Sequence, residues 1–248
     1  MGRELAADEC VQPFRDAGGD GAIVFDAARL RQATPAMLDP ASWGDDAVPV
    51  TSGGRGAAWF VRGPFGDAVL RHYRRGGAAA RLSRDRYLWL GADRVRSVEE
   101  FRLLSRLHRQ GLPVPAPLLA GWWRHGATYR AAILLQRIDG ARPFAAWLGG
   151  DVDGAPWEAA GATIADFHRH GVDHADLNAN NLLVDGDGRV WLIDFDRGRL
   201  RPTAGGWRRA NLQRLQRSIA KLSPGDGWRR SWSRLQRAYD TALAGAAA

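Results

Sequence analysis

The sequence is poor in lysine and cysteine, and each shortage excludes a class of site. Of the 35 basic residues among 248, one is a lysine, Lys221, so the other 34 are arginines. A P-loop that binds nucleotide phosphates needs a lysine directly after a glycine. Lys221 follows Ala220, which excludes a P-loop. Since Cys10 is the single cysteine, the chain has neither an internal disulfide framework nor a cysteine-based zinc site.

Long apolar runs are absent too. No stretch approaches the roughly 18 consecutive apolar residues of a membrane-spanning helix, and the first residues lack a signal-peptide pattern. We therefore expect a cytoplasmic protein. Hydrophobic residues make up 45% of the chain and charged residues 25%, which is ordinary for a globular protein with a core. The net charge of +8 favours a polyanionic partner: nucleic acid, a phosphorylated ligand or an anionic membrane.

The two halves of the chain have different patterns. Short apolar runs separated by glycine and proline turns predict strands in the first half, and helical spacing predicts one main helix over 97–110. The second half predicts helices over 156–170, 207–222 and 228–243. We place the boundary at Asp139-Gly140. The predicted fold is α+β, with a mainly antiparallel first domain over 1–138 and a mainly helical second domain over 139–248 that contains a hairpin.

The most informative segment begins at His174-Ala175-Asp176-Leu177 and ends at Asp194-Phe195. Between them, two apolar runs predict a hairpin, and a two-residue turn at Asp187-Gly188 would place Asn181 opposite Asp194. A turn at Asp185-Gly186 would instead place Asn181 opposite Val190. In the first register, hard oxygen donors converge near Asp176, which suits Mg²⁺.

This segment resembles the catalytic loop and metal-binding aspartate of protein kinases. The resemblance implies a two-lobed kinase-like fold, with Asp176 as the catalytic base and Asn181 and Asp194 as Mg²⁺ ligands. It also implies that Gly53, Gly54 and Gly56 cover the phosphates of ATP. His174 is expected to support the loop by packing and hydrogen bonding.

The kinase resemblance predicts a phosphate-binding lysine on the next strand, where this chain has Arg71. We expect Arg71 to replace that lysine, although an ordinary arginine at a strand end has the same pattern. Glu100 is the candidate partner that holds Arg71. The same glutamate also fits a capping box with Ser97 at the N-cap, so both interpretations stay open here.

Segments across residues 53–200 resemble the 3-deoxy-D-manno-octulosonic acid (Kdo) kinases of the lipopolysaccharide kinase family. They are 53–61, 70–77, Glu100-Phe101-Arg102-Leu103-Leu104, 111–115 and 174–178. The resemblance implies ATP-dependent phosphorylation of a Kdo hydroxyl, O-4, on Kdo–lipid A, at the cytoplasmic face of the inner membrane. It implies ATP and Mg²⁺ as cofactors, an anionic membrane as a partner, and neither a nucleic acid nor an obligate protein partner.

Two other functions compete with this one. Aminoglycoside- or choline-type phosphotransferases share the H-x-D and I-D-F patterns, but the arginine-rich flanks and the charge of +8 favour an anionic acceptor. A non-catalytic basic binding protein is the second rival, and the presence of Asp176, Asn181 and Asp194 argues against it. For the basic helices over 207–222 and 228–243, we expect packing on the core, with lipid contact as the alternative.

Overall fold

The computed structural model describes residues 8–17, 19–50, 58–74, 85–150, 152–202 and 205–245. It divides the chain into two compact units. The first comprises Met1–Ser105 with Ala116–Arg137, and the second comprises Arg106–Pro115 with Ile138–Ala248. The segment 106–115, which contains the last turn of the main helix of the first half and the residues after it, thus belongs to the second unit.

The first unit is built on an eight-stranded sheet whose strand pairs are all antiparallel. Its strands are β1 Glu9–Asp16, β2 Gly19–Asp26, β3 Ala47–Pro49, β4 Ala58–Gly63, β5 Gly66–His72, β6 Tyr87–Leu88, β7 Pro117–His125 and β8 Thr128–Gln136. Their order is β1-β2-β7-β8-β5-β4-β3, with β6 also paired to β8. β4 forms a hairpin with β5, and β7 forms another with β8.

Helix α1, Arg96–Arg109, is the main helix of the first half, as predicted. The four apolar residues that recur at helical spacing are all buried, namely Val98, Phe101, Leu104 and Leu107. Between β2 and β3, two short 3-10 helices occupy Pro35–Leu38 and Pro40–Asp46. The pattern missed β1, because its side chains are mostly exposed and lack an apolar alternation.

The second unit is mainly helical. Its helices are α2 Ala145–Leu148, α3 Trp157–Arg169, α4 Trp207–Leu222 and α5 Trp228–Ala244. Short strands β9 Arg142–Pro143, β11 Leu182–Val184 and β12 Val190–Leu192 form one sheet, while β10 Val172–Asp173 pairs with β13 Arg199–Leu200. The α+β fold class predicted from the sequence is therefore confirmed. No described helix is long and apolar enough to cross a membrane.

Helices α3 and α5 approach closely at one glycine. A Cβ added at Gly161 would lie 2.2 Å from the carbonyl oxygen of Leu235, so only glycine permits this approach. The residues of α3 that recur at helical spacing, from Trp157 to Phe167, form its buried inner face. At its end, Gly171 has φ +73, as expected for a glycine that terminates a helix.

Helical spacing predicts an apolar face on α4 made of Leu212, Leu215, Ile219 and Leu222, and this prediction is partly wrong. Leu215 and Ile219 are fully buried, but Leu222 is 39% exposed and Leu212 is only half-buried. Asn211 is 2% exposed and occupies the inner face instead. On α5, apolar residues including Trp232 and Leu235 are buried. Both helices thus use their inner faces in packing, as expected.

Candidate active site

A buried histidine organises the loop between β10 and β11. His174 is 2% exposed, and its Nδ1 accepts a hydrogen bond from the backbone N–H of Asp176 at 3.2 Å. The proton of the neutral ring must then be on Nε2, which donates to the carbonyl oxygen of Ile193 at 2.9 Å. Burial lowers the pKa of His174, so the ring stays neutral near neutral pH. His174 thus supports the loop, as the sequence predicted.

The loop is tied together through the backbone of Asp176. Its carbonyl oxygen accepts hydrogen bonds from the side-chain amides of Asn178 at 3.0 Å and Asn181 at 2.9 Å. Asn178 in turn accepts from the backbone N–H groups of Asn180 and Asn181. These contacts fix the loop without using the carboxylate of Asp176, and Asp176 is an exposed residue. The geometry therefore leaves a carboxylate on a fixed backbone, which is suitable for accepting a proton.

The hairpin that follows has a different register from the predicted one. Leu183 pairs with Trp191 and Val184 with Val190, and the N–H of Ile193 donates to the carbonyl oxygen of Asn181 at 3.0 Å. Asn181 thus lies opposite Ile193, and neither predicted turn is correct. The prediction that Asn181 directly faces Asp194 in the ladder was wrong by one residue.

The cause of this shift lies in the Asp185 side chain. Its Oδ1 accepts hydrogen bonds from the backbone N–H groups of Asp187 at 3.1 Å and Arg189 at 2.9 Å. The backbone closes with Gly188 N–H donating to the Asp185 carbonyl at 3.1 Å, and Gly188 has φ +79. This is a three-residue loop with a left-handed glycine, which is the next most common hairpin loop after the two-residue turn.

Asp194 has an unusual backbone conformation. With φ +64 it is the one non-glycine residue with positive φ in the part of the chain that the structure describes. Aspartate tolerates this region better than most residues, yet such strain concentrates at functional sites. The next residue, Phe195, is buried and its ring lies 4.7 Å from that of His174 and 6.0 Å from that of Phe167. Asp194 thus lies between the end of β12 and the buried ring of Phe195.

The charges of two aspartates converge on the same imidazole. Asp194 and Asp176 both act to raise the pKa of His174, although burial is the larger effect and lowers it. Asp176 and Asp194 thus both act on the His174 ring, and the Asn181 side chain is hydrogen-bonded to the Asp176 carbonyl oxygen. Nδ2 of Asn181 donates to the carbonyl oxygen of Asp176. This hydrogen bond assigns the two ends of the amide and leaves Oδ1 as the acceptor.

The donor set suits a hard cation, although it is small. An amide oxygen and a carboxylate are ligands that Mg²⁺ accepts, and Mg²⁺ usually keeps several waters. Among the described residues, no cluster of three or more His, Cys, Asp or Glu side chains is placed to hold a metal. The assignment of Asn181 and Asp194 as Mg²⁺ ligands therefore stays a prediction.

Sequence reasoning missed a buried residue that holds the start of the loop. The Oδ1 of Asn211 accepts the backbone N–H of His174 at 3.1 Å, and its Nδ2 donates to Asp173 at 2.8 Å. From the same helix, Ser218 accepts the N–H of Ala179 at 3.2 Å. The signal in the sequence was an asparagine at an inner helical position, one turn before Leu215.

In the first unit, Arg71 and Glu100 form the predicted ion pair. Nη2 of Arg71 lies 2.6 and 2.5 Å from the two carboxylate oxygens of Glu100, whose side chain is fully buried. The alternative capping box is wrong because the helix begins at Arg96, with the Glu99 N–H donating to Val95. Ser97 lies inside the helix and donates to the carbonyl oxygen of Gly121 at 3.0 Å. The three loop glycines, Gly53, Gly54 and Gly56, lie outside the described residues.

The sequence of this chain is similar to known proteins over nearly its whole length. Residues 41–239 match the model of the lipopolysaccharide kinase (Kdo/WaaP) family. A relative from Xanthomonas oryzae pv. oryzae is 55% identical over 241 residues, which cover 95% of this chain and 96% of the relative. Another, from Stenotrophomonas maltophilia, is 54% identical over 241 residues, with the same coverage of both chains. Both relatives are named 3-deoxy-D-manno-octulosonic acid kinase.

Proposed function

The chain belongs to the lipopolysaccharide kinase (Kdo/WaaP) family, and we propose that it is a Kdo kinase of lipopolysaccharide biosynthesis. The single observation that supports this most directly is the Asp176 loop, in which an exposed carboxylate stands on a fixed backbone. The two relatives named 3-deoxy-D-manno-octulosonic acid kinase match nearly the whole chain. We place the transferred phosphate on O-4 of Kdo in Kdo–lipid A, with ATP as the donor.

Asp176 is the catalytic base in this proposal. Its carboxylate accepts or orients the proton of the sugar hydroxyl, while its backbone is held by His174, Asn178 and Asn181. A positioned base of this kind contributes about 10²–10⁴-fold to a rate. The remaining acceleration in phosphoryl transfer comes from positioning and from charge stabilisation.

The metal and the nucleotide phosphates have separate candidate ligands. Asn181 and Asp194 would hold Mg²⁺, which supplies positive charge to the transferring phosphate when bound. Arg71 would bind the ATP phosphates. Glu100 keeps that guanidinium in place, and an arginine can contact a phosphate through two N–H groups. The glycine loop over 53–56 would complete the phosphate contacts.

We also propose that the protein works at the cytoplasmic face of the bacterial inner membrane. The acceptor is carried on a lipid, and the net charge of +8 suits an anionic surface. The inner faces of α4 and α5 are used in packing, so the exposed arginines would make this contact, among them Arg209, Arg217, Arg229, Arg230 and Arg237.

Substitution of Asp176 by asparagine tests the proposal. The backbone contacts that hold the loop do not involve its carboxylate, so we expect an unchanged thermal midpoint and unchanged Mg·ATP binding. The rate of phosphate transfer to Kdo–lipid A should fall about 10²–10⁴-fold. The assay uses labelled ATP, with Kdo–lipid A presented in neutral or anionic vesicles and sedimentation of the protein measured on both.

Choline and an aminoglycoside serve as competing acceptors in the same assay, and Asn180→Ala is a matched control in the same exposed loop segment. Phosphorylation of either competitor in preference to Kdo–lipid A would contradict the proposed acceptor. A full rate in Asp176→Asn would contradict the catalytic role. Equal sedimentation with neutral and anionic vesicles would contradict the electrostatic membrane contact.

A further inference from the structure

Two side chains of one strand reach the same buried glutamate. Arg71 lies at the end of β5, and Tyr73 continues the strand ladder, with its N–H donating to the Ala131 carbonyl at 3.0 Å. Residues two apart on a strand project from the same face. His72, between them, faces the other way, where its Nε2 lies 2.7 Å from the Leu38 carbonyl oxygen. The sequence Arg-His-Tyr therefore places a cation and a hydroxyl on one face.

Both groups contact Glu100 on α1. Arg71 approaches the two carboxylate oxygens through one nitrogen, Nη2, and the Tyr73 hydroxyl donates to Oε2. Tyr73 is 4% exposed and the Glu100 side chain is fully buried, whereas the Arg71 side chain is 22% exposed. In this ion pair, the Glu100 carboxylate is thus fully buried, whereas the Arg71 side chain is partly exposed to solvent.

The tyrosine also contacts the arginine directly. The guanidinium carbon of Arg71 lies 5.1 Å from the centroid of the Tyr73 ring, within the range of a cation–π contact. Arg71 is therefore bounded on one side by the ring and on another by the carboxylate. A buried carboxylate needs several hydrogen bonds to offset its desolvation, and Tyr73 supplies one to the oxygen that Nη2 also contacts.

We propose that Tyr73 is a positioning residue for nucleotide binding, which acts by fixing Glu100 and Arg71 in one arrangement. This inference rests on the proposed function of Arg71 as the group that binds the ATP phosphates. The inference adds Tyr73 to the pair of Arg71 and Glu100. The kinase pattern contains a cation and a glutamate but no such tyrosine. A planar guanidinium can stack on the ring while it contacts the carboxylate, whereas an ammonium group is a compact point charge.

The test compares Tyr73→Phe with the wild-type protein. The variant keeps the ring and removes the hydroxyl, so we expect binding of Mg·ATP to weaken about tenfold or more, since tenfold is the lower end of the effect of losing a hydrogen bond to a charged group. Binding of adenosine, which has no phosphates, should stay the same. Both affinities are measured by calorimetric titration, with thermal unfolding recorded for each protein.

Tyr239→Phe is the matched control. Tyr239 is also 4% exposed, and its hydroxyl lies 2.8 Å from His168 Nδ1. The substitution therefore removes a buried, hydrogen-bonded hydroxyl that does not contact Glu100. Its Mg·ATP affinity should equal that of the wild type. If Tyr73→Phe does not fold, Glu100→Gln, which keeps the shape and removes the charge, should show the same selective loss.

The outcomes separate this inference from the proposed function. A wild-type protein that does not bind Mg·ATP would contradict the proposed function itself. If the wild type binds, a Tyr73→Phe affinity equal to the wild type would overturn the positioning role. An equal weakening of Mg·ATP and adenosine would overturn it too, because a general loss of structure has that effect.

Discussion

Replacement of Asn211 by alanine should destabilise the protein by about 2–4 kcal/mol. The change removes the acceptor of the buried His174 N–H and the donor to the Asp173 carboxylate. A buried donor left without a partner costs about 1–3 kcal/mol, and a hydrogen bond to a charged group contributes about 1.5–3 kcal/mol. Asp173 keeps a contact with Arg201 at 2.6 Å, so the second loss is partial.

Urea unfolding measures this change, and amide hydrogen exchange at His174 locates it. We expect a lower midpoint with an unchanged slope, and faster exchange at His174 than in the wild type. Gln213, exposed on the same helix, provides the control, and Gln213→Ala should stay within about 0.5 kcal/mol. An Asn211→Ala protein as stable as that control would refute the argument that Asn211 holds the loop.

Two further predictions concern the helical unit. Burial, followed by the positive charge of Arg208, lowers the pKa of His168 to about 4. Because the unfolded chain takes up this proton below about pH 6.5 and the folded chain does not, unfolding free energy should fall by about 3 kcal/mol between pH 6.5 and 4. His168→Gln should reduce that pH dependence in urea unfolding, and an unchanged dependence would contradict the assignment. Gly161→Ala should lower stability by about 1–3 kcal/mol or more because its Cβ would meet the Leu235 carbonyl. Gly149→Ala, which meets nothing within 4 Å, should not, and equal thermal midpoints of the two variants would argue against the close approach.

Periodicity predicted the elements that bury a regular apolar face. Helices α1 and α3 were predicted within a residue or two because their inner positions recur at helical spacing. Helix α4 was predicted in extent but not in face, since Asn211 replaces an apolar residue there. A polar residue at an inner position becomes favourable only where the fold supplies partners, and those partners are distant in sequence. Its inner helical position marks Asn211 in the sequence, but no local pattern identifies His174 and Asp173 as its partners.

The hairpin after the Asp176 loop was predicted correctly in its strands but not in its turn. Two Asp-Gly pairs follow each other in 185–188, and pair preference alone supports a turn at either. The choice was made by the Asp185 carboxylate, which bonds two backbone N–H groups of the loop. Side-chain bonds of this kind compete with the turn preference and are not visible in the residue types. Asp194 has a left-handed backbone and does not occupy the ladder position predicted for it, because Ile193 lies opposite Asn181.

The scarcity of lysine acquires a structural meaning at Arg71. A bias toward arginine across the whole chain explains the presence of an arginine at the end of β5, but it does not explain the neighbouring tyrosine. The Tyr73 ring lies under the Arg71 guanidinium, and its hydroxyl donates to Glu100. The hydrogen bond to Glu100 would serve a lysine equally well, whereas the contact over the ring favours a flat cation. Exchange of Arg71 for lysine would therefore keep the charge and lose the contact of a flat cation with the ring. The surroundings of Arg71 are thus built for an arginine, and the missing lysine is a local feature of this site as well as a property of the composition.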